Sequence, residues 1–433
     1  MTGAAATKII LALVVLLAIG GAFVALQKIP LPTPMVTPDS GAAPNAVIPP
    51  LPGGAMPPVP QTGGAMPSAS PAGGAKPVGT NIISASAIKD CLGKAGESGT
   101  CLDQLFRPYL ETRTTQQALA IVQQYEDADS AIRLSCHPVV HAIGRETFRK
   151  EKTVHDSFGA CDQTCHSGCY HGAMERFLRG DAADDDTAAH ISDEELLERT
   201  RTACDQNQAI RFRFQCLHGL GHALMFSLDY QLEKALTACD RTGDGWSRSS
   251  CYGGVFMENV FTATPEKRDL SPTDYQYPCS KLDEKYRPDC YMMQTTRMTE
   301  MGLSTERIFA ECRAAGEYWP TCIQSIGRDL SNDARIGDPR GVAQKCEYGK
   351  TSEERQACIR GVSYALLDNT WDGRYGFPFC VALTNPDDAK YCFGISEGYL
   401  RNTFEKTAET MTADCKKYVP AAYQVVCIDS VTR

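Results

Sequence analysis

Basic character is scarce in this chain of 433 residues: 43 Lys and Arg stand against 52 Asp and Glu, a formal net charge of −9. No Lys/Arg stripe interrupts that balance, so the footprint that displaces counterions from phosphates is missing and nucleic acid is excluded as a partner. His-Glu-x-x-His does not occur, which removes a zincin-type protease. No nucleophile elbow, phosphate loop or dinucleotide fingerprint stands in a convincing context. Cysteine is absent before Cys91, and no cysteine follows the apolar N-terminal run closely, which excludes a lipid-modified cysteine. Histidine is rare as well: all eight lie between His137 and His222, about a fifth of the chain.

What is present points outside the cytoplasm. Twenty cysteines in a chain of this size are expected only where disulfides persist. Lys8 precedes an uncharged run, Ile9 to Leu26, long enough at helical rise to cross most of a hydrocarbon core. Gly20-Gly21-Ala22 offers a small-residue cleavage site, but the length of the run favours an uncleaved anchor with its cytoplasmic end first. Residues 1–27 therefore read as a signal anchor or signal peptide. The expected location is the extracytoplasmic side of the cell envelope, anchored by this N-terminal transmembrane helix, or secreted if the segment is cleaved.

Residues 28–80 are dominated by Pro, Gly, Ala and Ser, with too few large apolar side chains to offset the entropy of folding. Gly53-Gly54-Ala55-Met56-Pro57 recurs at Gly63–Pro67 and, with Lys76 in place of Met, at Gly73–Pro77. Such a repeat sets reach, and the segment reads as a disordered linker.

Residues 81–433 read as a cysteine-rich helical repeat domain. Cysteines fall in pairs: Cys204 with Cys216, Cys239 with Cys251, Cys279 with Cys290, Cys312 with Cys322, Cys346 with Cys358, Cys380 with Cys392, and Cys415 with Cys427. First members recur at 35, 40, 33, 34, 34 and 35 residues, the period of stacked helical hairpins. Turn-forming residues such as Thr384-Asn-Pro-Asp-Asp388 lie between the cysteines of a pair. Apolar helical patterns such as Ile359–Leu367 follow the second cysteine. A disulfide closing a loop of this size stabilises by about 3 kcal/mol in the chain-entropy model.

Running the period backward makes Cys91 and Cys101 a first unit. Unit two has Tyr125 where a first cysteine belongs and Cys136 as the expected second. Unit three carries one cysteine too many, and the simplest accounting pairs Cys161 with Cys169 and leaves Cys165 to reach back to Cys136. Connectivity among these four is otherwise open. The count is about ten units, with an acidic insertion at Asp181 to Asp186 that reads as a solvated charge run. In period and cysteine logic the array resembles extracellular cysteine-rich Sel1-like and tetratricopeptide-type repeats. That resemblance implies an all-α, disulfide-stapled α-solenoid and says little about function, since the tetratricopeptide residue signature is absent.

Units two to four, about residues 125–230, carry the chemistry. Cys136-His137-Pro-Val-Val-His141, Cys169-Tyr-His171-Gly-Ala-Met-Glu175 and Cys216-Leu-His218-Gly-Leu-Gly-His222 each put two metal-competent side chains four residues apart, on one helix face. His171 and His218 stand two after their cysteine, Glu175 and His222 six after. His137 and His141 stand one and five after, a slight slip that Pro138 in a first turn accommodates. Gly172, Gly219 and Gly221 remove bulk and let helices or a ligand approach. Units five to ten show Gly253, Met292, Gln324, Arg360, Gly394 and Asp429 at the offset of His171, and no histidine. A packing need would not stop at unit four.

The expected metal ligands are therefore His137, His141, His171, Glu175, His218 and His222, for zinc, iron, manganese or copper. Were the site catalytic, Glu175 would be a ligand or the base for metal-bound water, with Glu146 as a second base or supporting candidate. Enzyme or pure metal binder is left open by the residues. The competing reading is an envelope scaffold without metal, whose concave groove binds a protein or glycan partner.

Overall fold

The computed structural model describes residues 83 to 431, apart from 95, 181–191, 206–208 and 263–264. The anchor segment, the linker and the acidic insertion lie outside these residues. Among the described residues the chain is all α-helical, without a strand, and no helix is long and apolar enough to cross a membrane.

Each unit pairs a shorter first element with a longer second helix. The second helices, α1 to α10 by unit, are Ser98–Leu110, Cys136–Glu151, Thr164–Arg179, Ile210–Ser227, Gly245–Phe261, Arg287–Glu300, Trp319–Arg335, Ser352–Asp368, Pro386–Phe404 and Ala421–Val431. Start signals are written locally. Ser84, Thr153, Ser192, Asp244, Ser304, Thr351 and Thr407 each accept a backbone N–H in the first turn of the helix that follows. Thr114 and Gln117 form a full capping box. Unit six differs in that turns replace its first helix.

All twenty cysteines are paired, with Cα–Cα separations of 5.3–5.8 Å. Nine bridges staple a unit's first element to its own second helix. The tenth joins Cys136 to Cys165 and so ties unit two to unit three. Consecutive second helices pack on one another from α1 through to α10, and α4 also meets α9. A buried ion pair between Arg335 and Glu126 likewise links unit seven to unit two.

Glycines set how close these helices come. A Cβ at Gly172 would fall on the carbonyl oxygen of His141, and one at Gly144 on that of Cys169. The same reciprocal contact recurs between α4 and α5 through Gly221 and Gly254, and between α7 and α8 through Gly327 and Gly361. Backbones therefore touch at these crossings, which any side chain would prevent.

The contacts also fix the register. Gly254 faces His218 and Gly361 faces Gln324, each partner two residues after its cysteine, whereas Gly172 faces His141, five after Cys136. Unit two is thus displaced by three residues, nearly a helical turn, rather than by the single residue expected from the sequence. Its cysteine is free to sit off-register because it bonds Cys165 instead of a partner in its own unit. Consequently His141 takes the place equivalent to His171 and His218, and His137 lies a turn before it.

Candidate metal centre

Helices α2, α3 and α4 bring five imidazoles together. Ring centroids stand 4.5 Å apart for His137 and His141, 5.2 Å for His137 and His171, and 5.5 Å for His141 and His171. His222 lies 5.0 Å from His171 and 5.5 Å from His141, and His218 lies 5.1 Å from both His171 and His222. One nitrogen from each of His137, His141 and His171 falls within 4.8 Å of the other two, the spacing of a group that could hold an ion. The rings are sunk in the fold: His141, His171, His218 and His222 are 6%, 2%, 5% and 1% exposed.

Each central ring gives one nitrogen to an oxygen of the surrounding fold. His137 Nδ1 bonds the carbonyl oxygen of Cys165 at 2.8 Å. His141 Nδ1 bonds Glu175 Oε1 at 2.5 Å, and His171 Nε2 bonds Gln215 Oε1 at 3.0 Å. His222 Nδ1 meets Glu258 Oε2 at 2.9 Å. The opposite nitrogens of His141 and His222 are buried without any hydrogen-bond partner. That of His171 lies 3.4 Å from His137 Nε2. His218 Nδ1 is likewise buried without a partner. Orphaned buried polar atoms are costly, and three in one cluster ask for a ligand.

Glu175 stands behind His141, not among the inward nitrogens. Its second oxygen bonds Arg145 at 2.5 Å, and Arg145 in turn bonds Asp103 of α1 at 2.8 Å. Burial alone would raise the Glu175 carboxyl, but His141 and Arg145 hold it down to about 2, so it is anionic. Glu258 is the opposite case: burial, with the Glu175 charge added, pushes it up to about 8. Glu258 therefore holds its proton near neutrality, whereas Glu175 does not. Burial, reinforced by the neighbouring rings, holds His137, His171 and His222 well below the usual histidine range. Burial takes His166 and His218 down to about 4. Neutral rings keep the lone pair a metal needs.

Of the sequence candidates, then, the five histidines meet and Glu175 supports one of them from outside. Glu146 turns elsewhere: its oxygens bond Arg107 at 2.8 and 2.9 Å and Arg149 at 2.6 Å. Sequence reasoning missed Gln215 and Glu258. Neither carries a spacing signal, since Gln215 precedes its cysteine and Glu258 stands seven after Cys251, in a unit without histidine. His166, also unassigned, has its ring 6.5 Å from that of His137, whereas His155 is exposed.

No family model, curated protein or solved structure matches the chain.

Proposed function

We propose that this protein is an exported, membrane-tethered α-solenoid that binds a transition-metal ion through His137, His141 and His171, with His222 and His218 adjoining. The carrying observation is the arrangement of nitrogens. Each of the three rings, and His222, spends one nitrogen on an oxygen acceptor and keeps the other inward, the pattern by which outer partners fix the tautomer and aim of ligating histidines. Three imidazoles, with two more beside them, suit zinc, copper or iron, and manganese less well for want of a carboxylate in the inward set. Glu175 serves as the orienting anion behind His141. With the oxygens of Glu175 and Glu146 all engaged, neither stands ready as a base for metal-bound water, so metal binding itself is the activity the geometry supports. Burial of the rings speaks against the scaffold reading, since recognition of a protein or glycan needs side chains at the surface.

The test is elemental analysis of the untagged protein purified without chelator, disulfides intact, beside the His141→Ala/His171→Ala variant. About one transition-metal ion per chain in the wild type, lost in the variant, is expected. Absence of stoichiometric metal together with failure to take up added zinc or cobalt overturns the reading.

A further inference from the structure

The bridge that departs from the repeat lies against a second group of donors. Cys136 and Cys165 pair across units, and Glu126 brings a carboxylate oxygen to 3.5 Å from Cys165 Sγ. The two sulfurs and one oxygen of Glu126 all lie within 4.8 Å of one another, and all three residues are buried. Glu126 is held there by Gln123 at 3.1 Å and by Arg335 from unit seven. A cavity of about 290 Å³, lined by Gln123, Asp127, Cys165, Arg335, Arg374 and Tyr375 among others, reaches this bridge from the interface of units two, three and seven to nine. The chain at Cys165 is also under tension. Cys165, His166 and Ser167 have φ of 50°, 57° and 62°, three successive non-glycine residues in the left-handed region. The bridge and the bond from His137 to the Cys165 carbonyl tie that turn down.

We infer that Cys136, Cys165 and Glu126 form a second, redox-gated metal site, which takes a thiophilic divalent ion such as zinc or cobalt once the bridge is reduced. A dithiol reductant delivers two electrons and two protons to the S–S bond, leaving two thiols here and becoming a disulfide itself. Binding of the ion then displaces the two thiol protons to solvent and gives an S₂O donor set. The site adjoins the imidazole cluster, since His137 follows Cys136 and bonds the Cys165 carbonyl, but it shares no donor with it. A comparable trio at Glu397, Cys415 and Cys427 does not serve. Its bridge is an ordinary staple within unit ten, and burial pushes Glu397 up to about 9, which keeps it protonated.

The experiment uses the full chain treated with limiting dithiothreitol, the reductant then removed without air. Alkylation and peptide mapping identify the first thiols freed, and titration with cobalt follows. Cys136 and Cys165 open first, and one cobalt per freed pair binds with thiolate-to-metal charge-transfer absorption. Glu126→Gln weakens that binding at least about tenfold. Arg335→Gln, which breaks the same ion pair but removes no donor, does not. The His141→Ala/His171→Ala variant keeps the thiolate absorption, so this site and the imidazole site stand or fall separately. First opening of another bridge, cobalt binding without thiolate absorption, or equal effects of Glu126→Gln and Arg335→Gln would overturn the inference.

Discussion

Gly172→Ala probes the step from sequence to site most directly. In an ordinary helix interior the exchange gains about 1 kcal/mol, because alanine loses less backbone entropy. At Gly172 the new methyl would occupy the position of the His141 carbonyl oxygen, an atom of the partner backbone that no rotamer change can move. Helices α2 and α3 must separate, and overpacking of this kind costs about 1–3 kcal/mol. The clash outweighs the gain, for a net loss of about 1 kcal/mol. His137 and His141 ride on α2 and His171 on α3, so the same separation spreads the ligand set and lowers metal affinity by about tenfold or more. Two control exchanges divide the effects. Gly361→Ala meets the same obstruction at Gln324 between α8 and α7, remote in sequence from every histidine, and should lose stability while keeping metal affinity. Gly398→Ala meets nothing and should gain about 0.5–1 kcal/mol. Urea unfolding of the metal-free, disulfide-intact protein reads stability, and competition with a chromophoric chelator reads affinity. The reasoning is refuted if Gly172→Ala is stabilised as Gly398→Ala is, or if Gly361→Ala weakens metal binding as much as Gly172→Ala does.

Two further outcomes follow from the electrostatics. Glu175→Gln keeps an acceptor for His141 but turns an amide toward Arg145. Metal affinity should fall about 10- to 100-fold and stability by the order of 3 kcal/mol, whereas Glu146→Gln should leave affinity within a factor of about three by the same competition assay. Acid should loosen the metal-free fold in a defined window. His166 and His218 have folded-state values near 4 against an ordinary 6.5, so their neutral form is the one the fold accepts. The stability these two rings contribute is full above pH 6.5, is lost as the unfolded chain takes up protons below it, and is gone near pH 4. The total is about 3 kcal/mol per ring. Replacing His218 by Gln should flatten the pH dependence of the urea midpoint across that window, and an unchanged slope would contradict the assignment.

Much of the architecture is legible in the residues because its determinants are local. Disulfides joining cysteines 8 to 12 positions apart are readable as a rhythm, and the one long bridge, Cys136 to Cys165 at 29, emerges from the missing and surplus cysteines of units two and three. Caps and prolines mark helix starts for the same reason: their partners lie within a turn. The convergence of histidines from three units was legible too, from a pattern that later units lack. Its register was not. Offsets from the repeat cysteine suggested a slip of one residue, yet the crossing of α2 with α3 at Gly144 and Gly172 sets it at three. The role of Glu175 depended on that crossing, and the places of Gln215 and Glu258 on those of α3 with α4 and α4 with α5, since a side chain faces an ion or backs a ring according to how two helices are rotated against each other. The amino-acid order alone determined which segments form helices and which cysteines can close each hairpin, through forces acting over a dozen residues. Tertiary structure alone decided which nitrogen of each ring points inward, because that choice belongs to oxygen acceptors on neighbouring helices about 30 to 45 positions away.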